Sequence, residues 1–301
     1  MASKADNIWA HPLMVPLGAG SLSGIVADTV THPICTIKAR MMTLGAARAA
    51  AAGGAPSAEV EGVSLYRGLY RGLGAVLVGA APAQSLYFGG MLMVQDYVGE
   101  GKGAFVNFCA GIAAQMCGSL AWVPMEVVKE KMMIQGQMQT KTQYSGSFDL
   151  AKRVVAKEGI GGLYRGYVMQ QLTYGPFNAL GIMLYNEAKP YVPDSMKDTT
   201  AGDLLASAAG YGAAAFVTNP FDVVKTRKQV QTSNPDVFKY NGSFDILKQT
   251  VQKEGALALF DGVAARVGWL TPRCALAMTS FEYLAGQIRL KAEAEGAESE
   301  S

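Results

Sequence analysis

Charged side chains are scarce in this sequence, and neither sign dominates. Only 17% of the 301 residues are Asp, Glu, Lys or Arg, and the formal net charge is +2. A typical soluble domain has about 25% charged residues, so the composition disfavours that class. No basic run with interleaved aromatic residues is present, which argues against a nucleic-acid-binding protein. Half of the residues are hydrophobic and 35 are glycine, which predicts a membrane protein whose helices meet through small residues.

Cysteine pairs and the common enzyme motifs are missing as well. The four cysteines, Cys35, Cys109, Cys117 and Cys274, are scattered without CxxC spacing, which argues against a disulfide framework and a zinc site. No Gly-rich phosphate loop, HExxH motif or nucleophile with a paired histidine stands out, so we predict neither an enzyme nor a cofactor nor a bound metal. The N-terminal residues resemble neither a signal peptide nor an Arg-rich transit peptide, so any targeting information is expected to be internal.

The sequence does contain one motif three times in the same frame. PICTIKAR at 33–40, PMEVVKEK at 124–131 and PFDVVKTR at 220–227 each have a base five and seven residues after the proline. The prolines lie 91 and 96 residues apart, which indicates internal repeats. We therefore divide the chain into repeat 1 (1–100), repeat 2 (101–197), repeat 3 (198–290) and a disordered acidic tail (291–301).

A second proline follows in each repeat, with a glycine ten residues before it. The prolines are Pro82, Pro176 and Pro272, and the glycines are Gly72, Gly166 and Gly262. The triplet that ends on this glycine is YRG in repeats 1 and 2, whereas repeat 3 has FDG with Asp261 at the basic position.

Repeats 2 and 3 also share a sixteen-residue segment, YSGSFDLAKRVVAKEG at 144–159 and YNGSFDILKQTVQKEG at 240–255. In the first of these, apolar residues recur at helical spacing with the basic residues off that face, which predicts an amphipathic helix at the membrane surface. The predicted apolar face comprises Phe148, Ala151, Val154 and Val155. Repeat 1 has an Ala/Gly-rich stretch at 45–64 instead, and there we predict a loop.

Each repeat contains two apolar stretches of roughly membrane-spanning length. The first set covers 13–41, 103–132 and 203–229, and the second set covers 73–97, 168–189 and 264–289. Runs of small residues such as CAGIAAQMCG (109–118) and ASAAGYGAAA (206–215) lie in the first set, where helices are expected to approach closely. The pattern predicts six helices in a membrane. The alternative is a large soluble helical solenoid, which does not need stretches this long and this poor in charge.

The repeated unit resembles the mitochondrial carrier family over nearly the whole chain. The resemblance rests on P-x-[D/E]-x-x-[K/R]-x-[K/R], the amphipathic segment, E-G and the aromatic-basic-Gly triplet. It implies an all-α membrane protein of the inner mitochondrial membrane, with six transmembrane helices in three pseudo-threefold-related repeats and short amphipathic helices on the matrix side. Both termini would face the intermembrane space, and Pro33, Pro124 and Pro220 would kink their helices inward.

The resemblance further implies a matrix-side gate made of ion pairs between repeats. Its six positions are Cys35, Lys38, Glu126, Lys129, Asp222 and Lys225. Because the acid of one repeat pairs with the base of the next, Glu126 would meet Lys225 and Asp222 would meet Lys38. Lys129 would face Cys35, which we interpret as a small packing residue rather than a redox-sensing thiol.

The cytoplasmic-side gate of the family is degraded in this sequence. The six corresponding positions are Leu92, Gln95, Asn186, Lys189, Glu282 and Ala285. Pairing acid to base leaves Leu92 with Lys189, Asn186 with Ala285 and Glu282 with Gln95. No ion pair is therefore intact at this end.

The family's substrate contacts map onto positions without charge. These are Gly79, Thr173, Tyr174 and Trp269, which disfavours nucleotides, phosphate and di- or tricarboxylates as substrates. Asp28 and Arg273 are further candidates, since an ion inside a membrane protein is a functional candidate by default. They either contact the substrate or simply pair with each other.

The YRG triplets resemble the family's cardiolipin-holding corners. The resemblance implies that Arg71, Gly72, Arg165 and Gly166 bind structural cardiolipin, with weaker binding at the third corner because of Asp261. The expected partners are membrane lipids and a small-molecule substrate, and no nucleic acid.

Two functions are compatible with these patterns. The first is a solute carrier that moves a small metabolite or metal, with cations among the candidates, by alternating access. Asp28 resembles the acid of S-adenosylmethionine carriers, whereas GAAPAQSLYF (79–88) and YVMQQLTYGPF (167–177) look more like mitoferrins, whose histidines are not matched here. The second, suggested by the degraded gates, is a carrier-fold accessory subunit of a larger inner-membrane complex, such as a respiratory complex.

Overall fold

The computed structural model describes residues 18–52, 65–98, 103–135, 144–197, 199–233 and 238–300, and these contain α-helices and short 3-10 turns but no strand. The long helices are α1 (Gly20–Ala52), α2 (Leu73–Val98), α3 (Gly103–Ile134), α5 (Tyr167–Ala188), α6 (Thr200–Val230) and α8 (Val263–Glu300). The two short ones are α4 (Ser147–Glu158) and α7 (Ser243–Glu254). Within the described residues, all six predicted apolar stretches are therefore mainly helical, and both sixteen-residue segments contain a helix; residues 13–17 of the first stretch lie outside the described residues. In the described part of the chain, no helix has a stretch both long and apolar enough to cross a membrane.

The three motif prolines all lie inside helices that continue past them. Pro33 is in α1, Pro124 in α3 and Pro220 in α6. A proline inside a helix removes one backbone hydrogen bond, so each helix relies on its packing to stay continuous.

Two helices are longer than the sequence pattern predicts. The first, α1, runs through residues 45–52, where a loop was expected, because alanine has the highest intrinsic helix propensity. There Ala46 and Ala47 pack against Ile134, Val230 and Phe238. Residues 53–64 lie outside the described residues. The second, α8, continues to Glu300 through the tail for which we predict disorder, and that tail is rich in the helix formers alanine and glutamate.

Helix α4 packs on α3 through only part of its predicted apolar face. Leu150 and Val154, four residues apart, pack against Val128 and Met132 of α3. Phe148, also on the predicted apolar face, does not pack on α3 and is 85% exposed. The i and i+4 positions of the helix determine which side chains reach α3.

The chain divides into two compact units. The unit formed by Thr31–Val76 and Trp122–Thr271 contains all three proline motifs and is called the motif unit. The other, called the terminal unit, comprises the described parts of Met1–Val30, Leu77–Ala121 and Pro272–Ser301. Each unit draws on all three repeats.

Small residues lie at helix contacts within both units. In the terminal unit, a Cβ atom added to Gly118 of α3 would lie 3.0 Å from the Cβ of Tyr87 in α2. In the motif unit, one added to Gly210 of α6 would lie 2.7 Å from the Cα of Tyr185 in α5. These contacts confirm the prediction that small residues allow close helix approach.

Candidate functional site

The first bases and the acids of the proline motifs form a buried ring of charges in the motif unit. Glu126 Oε1 lies 3.1 Å from Lys225 Nζ, and Asp222 Oδ2 lies 3.2 Å from Lys38 Nζ. All four side chains are buried. The structure thus brings together the two pairs that the resemblance implies, each linking one repeat to the next. A buried charge is tolerated in a protein when an opposite charge lies this close to it.

Asp222 contacts more cations than any other acid of the described ring. Besides Lys38, its carboxylate lies 3.1 Å from Lys225 Nζ and 3.4 Å from Arg266 Nε. Arg266, on α8, also donates hydrogen bonds to the carbonyl of Ala215 and the hydroxyl of Thr218 in α6. Sequence reasoning missed Arg266 because it lies outside the repeated motif.

The junction between repeats 1 and 2 has a different composition. Cys35 packs in an apolar cluster with Ala39 and Met133, in keeping with its interpretation as a packing residue. The carboxylate oxygen nearest to Lys129 Nζ among the ion pairs described is that of Glu126, in the same helix and 4.0 Å away. In the described part of the chain, this junction therefore has no direct ion pair between Lys129 and repeat 1.

The second base of each motif also reaches the following repeat. Arg40 donates to the carbonyl of Met133 at 2.9 Å, Lys131 to the hydroxyl of Thr232 at 2.6 Å, and Arg227 to the carbonyl of Met42 at 3.0 Å. All three bases are buried. These contacts link repeat 1 to repeat 2, repeat 2 to repeat 3 and repeat 3 to repeat 1. The base that recurs seven residues after each proline could have indicated them.

The surface helices supply carboxylates to two of these bases. Arg227 Nη2 donates to Glu254 Oε2 at 2.7 Å, and Lys131 Nζ lies 3.4 Å from Glu158 Oε1. Repeat 1 has no such described acid, and there Arg40 Nη1 donates to the carbonyl of Leu65 at 2.8 Å.

The glycine of each aromatic-basic-Gly triplet lies in a turn at a positive φ, +90° for Gly72, +88° for Gly166 and +76° for Gly262. A Cβ atom on Gly72 would lie 2.8 Å from the carbonyl oxygen of Lys129, and one on Gly262 would lie 3.1 Å from that of Lys38. Glycine is therefore needed for both its conformation and its close approach to the next repeat.

The basic residues of the triplets have different surroundings. Arg71 is exposed, whereas Arg165 Nη2 lies 2.9 Å from Glu158 Oε2. Burial opposes ionisation of Glu158, but the Thr232 hydroxyl, Lys131 and Arg165 outweigh it and lower its pKa. At the equivalent of Arg165, burial raises the pKa of Asp261 against the opposing charge of Arg227.

The aromatic substrate-contact candidates lie beside the ring lysines. Lys225 Nζ is 4.9 Å from the centre of the Tyr174 ring, and Lys38 Nζ is 5.6 Å from that of Trp269. Thr173 is fully buried and its hydroxyl donates to the carbonyl of Met169 at 2.7 Å. That hydroxyl is occupied within its own helix, which weakens Thr173 as a substrate contact.

The charged candidates lie together in the terminal unit. Arg273 Nε donates to Asp28 Oδ1 at 2.6 Å, and the two side chains are 26% and 15% exposed. Gly79 is partly exposed on α2. Asp28 and Arg273 form a pair that is short and still reachable by solvent.

The cytoplasmic-gate positions are described only in repeat 2. The side chains of Leu92, Gln95, Glu282 and Ala285 lie outside the described residues. Lys189 Nζ lies 3.3 Å from Asp203 Oδ1 at the start of α6, and Tyr185 donates to the same oxygen at 3.0 Å. Asn186 is exposed and lines, with Lys189 and Asp203, a cavity of about 350 Å³. Sequence reasoning missed Asp203 because it lies outside the gate motif.

Three helical repeats, with buried ion pairs at two of the three described junctions, are typical of the class of three-repeat solute carriers. The family model described as "Mitochondrial carrier protein" matches residues 10–102, 100–196 and 197–291. The chain belongs to this family.

Several curated proteins resemble the chain along most of its length. The "Mitochondrial substrate carrier family protein E" of Dictyostelium discoideum is 34% identical, over 88% of this chain and 93% of that protein. The "Probable S-adenosylmethionine carrier 2, chloroplastic" of Arabidopsis thaliana is 33% identical, over 83% of this chain and 68% of that protein. The "S-adenosylmethionine carrier 1, chloroplastic/mitochondrial" of the same plant is 32% identical, over 84% and 72%. These names favour a solute carrier and give no support to an accessory subunit.

Proposed function

We propose that this protein is a carrier of the inner mitochondrial membrane that moves a small organic cation of the S-adenosylmethionine type. Two relatives are named as carriers of that compound, and the carboxylate of Asp28 supplies an acid of the required charge. The observation that carries the proposal is the Asp28–Arg273 pair, at 2.6 Å and partly exposed. A substrate with both a cationic and a carboxylate group can exchange partners with this pair, so neither ion is left unpaired.

The ring of the motif unit acts in this proposal as the matrix-side gate. Opening requires separation of Lys38 from Asp222 and of Lys225 from Glu126. Each separated ion must gain water or another partner, because a buried charge without one is costly. Differential binding of substrate to the open state supplies the free energy, and the ring returns to its pairs afterwards.

The six long helices cross the membrane in this proposal, with both termini in the intermembrane space. Large apolar side chains stay exposed on them, such as Val78 (79%) on α2 and Val168 (68%) on α5. Phe148 and Phe244 are exposed at equivalent positions of α4 and α7, as expected of helices that lie at a lipid surface. A C-terminal epitope should become protease-sensitive when the outer mitochondrial membrane is ruptured, and persistent protection would contradict this orientation.

Cardiolipin binds in this proposal at the turns before α2 and α5, where Arg71 and Arg165 adjoin helix N-termini. Asp261 disfavours an anionic lipid at the third turn. Native mass spectrometry should detect two tightly held cardiolipins, and the Asp261→Arg variant should gain a third. Three equally tight lipids in the unaltered protein would contradict the proposal.

Uptake of radiolabelled S-adenosylmethionine into liposomes that contain the purified protein tests the transport proposal. Asp28→Asn should reduce uptake about tenfold, the equivalent of about 1.4 kcal/mol. Asp194→Asn is the matched control, because Asp194 is an exposed acid paired only with Lys197 among the described contacts. S-Adenosylhomocysteine, which lacks the sulfonium charge, should compete poorly. Uptake no greater than in empty liposomes would refute the proposed substrate, and equal competition by both compounds would show that the sulfonium is not the cation that Asp28 recognises.

A further inference from the structure

Two aromatic side chains face lysines of the buried ring of charges. The centre of the Tyr174 ring lies 4.9 Å from Lys225 Nζ, and that of the Trp269 ring lies 5.6 Å from Lys38 Nζ. Both distances fall within the range of about 6 Å over which the face of an aromatic ring attracts an ammonium group. Both lysines are buried, and this attraction is stronger where water is excluded.

Between repeats 2 and 3, the acid and the aromatic side chain that contact one lysine come from the same repeat. Glu126 on α3 lies 3.1 Å from Lys225 Nζ, and Tyr174 on α5 supplies the aromatic face. Lys225 itself is on α6. Three helices therefore meet at this lysine, two from repeat 2 and one from repeat 3.

The junction between repeats 3 and 1 has the same arrangement. Asp222 on α6 lies 3.2 Å from Lys38 Nζ on α1, and Trp269 on α8 supplies the aromatic face. The indole nitrogen of Trp269 also donates to the Thr31 hydroxyl on α1 at 3.0 Å, which orients the indole beside the lysine. At both junctions, an acid and an aromatic side chain of one repeat thus contact the lysine of the next.

The junction between repeats 1 and 2 differs in both partners. The two aromatic residues lie two or three positions before the second proline of their repeats, and in repeat 1 these positions are Ala80 and Gly79. Cys35 occupies the position of the acid, and no aromatic face lies over Lys129 in the described part of the chain. Within the described residues, an aromatic partner thus accompanies the ion pair at two junctions and is missing with it at the third.

We propose that Tyr174 and Trp269 are gate residues, each of which holds the lysine of the next repeat jointly with the acid of its own repeat. Separation of an ion pair leaves a buried ammonium group that needs another partner. Because the aromatic side chain and the acid are on different helices, the lysine can lose its carboxylate and keep the aromatic face. The two side chains are therefore positioning residues of the gate. Their role in gating rests on the proposed function, whereas their contact with the lysines does not.

A packing role is the competing explanation. The rings of Tyr174 and Phe177 are nearly perpendicular with their centres 6.2 Å apart, and Trp269 packs against Cys35 and Ala39. Removal of either aromatic side chain would therefore cost stability under both explanations. Fluorine atoms withdraw electron density from the face of a ring and leave its shape nearly unchanged, so they weaken its attraction to a cation but not its apolar packing.

The first test replaces Tyr174 in the full-length protein by phenylalanine, and then by phenylalanines with one and with three ring fluorines. Thermal unfolding in detergent should give a midpoint that falls with each step of fluorination, by roughly 2 °C over the series. The same series at Phe238, a buried side chain whose described ring contact is with Tyr240, should not lower the midpoint. A midpoint that stays level or rises with fluorination at position 174 would overturn the proposal.

The second test measures opening of the gate through the thiol of Cys35, which is buried at the neighbouring junction. Alkylation by N-ethylmaleimide in liposomes is followed by mass spectrometry of the Cys35 peptide. Tyr174→Leu removes the aromatic face and should raise the alkylation rate about fivefold, whereas Tyr174→Phe keeps the face and should leave the rate unchanged. Tyr191→Leu, at a tyrosine that is 87% exposed, is the control and should also leave it unchanged. Equal rates for Tyr174→Leu and Tyr174→Phe would contradict the role in the gate.

Neither test needs a substrate, so their outcome is independent of the proposed cargo. Failure of S-adenosylmethionine uptake, together with the expected order of the fluorinated variants, would refute the cargo and leave the lysine contacts standing. A level fluorination series with normal uptake would do the reverse. Because the fluorinated variants keep the shape of the side chain, the first test stays decisive even if Tyr174→Leu does not fold.

Discussion

The three junctions between repeats share one backbone arrangement but are held by different chemistry. Between repeats 3 and 1, Asp222 pairs with Lys38 while Arg227 donates to the carbonyl of Met42. Between repeats 1 and 2, Arg40 makes the equivalent carbonyl contact to Met133, but Cys35 stands where the acid is expected. The carbonyl contacts are common to both junctions, and the ion pair is not.

The base-to-carbonyl contact is therefore present at both junctions, whereas the ion pair depends on which side chains the junction contains. A backbone carbonyl persists when side chains change, so a base that uses it keeps its partner under substitution. An ion pair needs both side chains, and loss of one leaves an uncompensated buried charge. The charged junctions should therefore be much more sensitive to single substitutions than the neutral one.

The largest expected effect is at Asp222. Asp222→Ala leaves Lys38, Lys225 and Arg266 without their shared carboxylate and should cost about 3–5 kcal/mol of stability. The unfolding midpoint measures it. Cys35→Ala at the neutral junction is the matched comparison and should have a far smaller effect. Equal losses at the two positions would contradict the contrast between the junctions.

The second effect compares the second bases. Arg227→Lys loses the two-pronged contact with Glu254 and should cost about 2 kcal/mol, since hydrogen bonds between charged groups are the strong ones. Lys131→Arg makes the reverse change at the equivalent position, where Thr232 and Glu158 accept either base, and should cost less. Both variants are compared by thermal unfolding, and a greater loss for Lys131→Arg would contradict this assignment.

The third effect tests the turn shared by all three junctions. Gly262→Ala places a side chain at a positive φ and close to the Lys38 carbonyl, so it should cost about 1–2 kcal/mol. Gly268→Ala, inside α8 with open space around it, should be neutral or stabilise by up to about 1 kcal/mol. The two unfolding midpoints should thus move in different directions, and a shared loss would point to general crowding instead.

The smallest expected effect is a difference in how the stability contributions of Glu158 and Asp261 depend on pH. The lowered pKa of Glu158 contributes stability that is present above its ordinary value of 4.5 and is lost as the pH falls through the shifted pKa. The raised pKa of Asp261 has the opposite sign, with its contribution lost as the pH rises above 3.8. Glu158→Gln should therefore be less stable than the unaltered protein at pH 7, and Asp261→Asn more stable. In acid, the unfolding midpoint of Glu158→Gln should converge with that of the unaltered protein. Midpoints of the variants and the unaltered protein that change in parallel with pH would contradict this prediction.

The sequence predicts the repeats and the helices, because these recur at fixed spacing, whereas the two ion pairs were implied by the resemblance to the family. It does not reveal Arg266 or Asp203, since each occurs once and meets its partners only through tertiary packing. The sequence does not show that Leu150 rather than Phe148 packs on α3, because the two side chains are similar in hydrophobicity and only the position of α3 distinguishes them. The extension of α1 was missed because glycine within an alanine-rich stretch suggests a loop. The high helix propensity of alanine nevertheless keeps the chain helical as far as Ala52.

The extension of α1 also has a consequence for its reach. A helix of 33 residues is about 50 Å long at about 1.5 Å per residue, whereas the hydrocarbon layer of a bilayer is about 30 Å thick. A rod that traverses this layer therefore projects about 20 Å beyond it, depending on tilt. If α1 crosses a membrane as proposed, its alanine-rich end, where Ala46 and Ala47 pack against Ile134, Val230 and Phe238, would therefore lie outside the hydrocarbon layer.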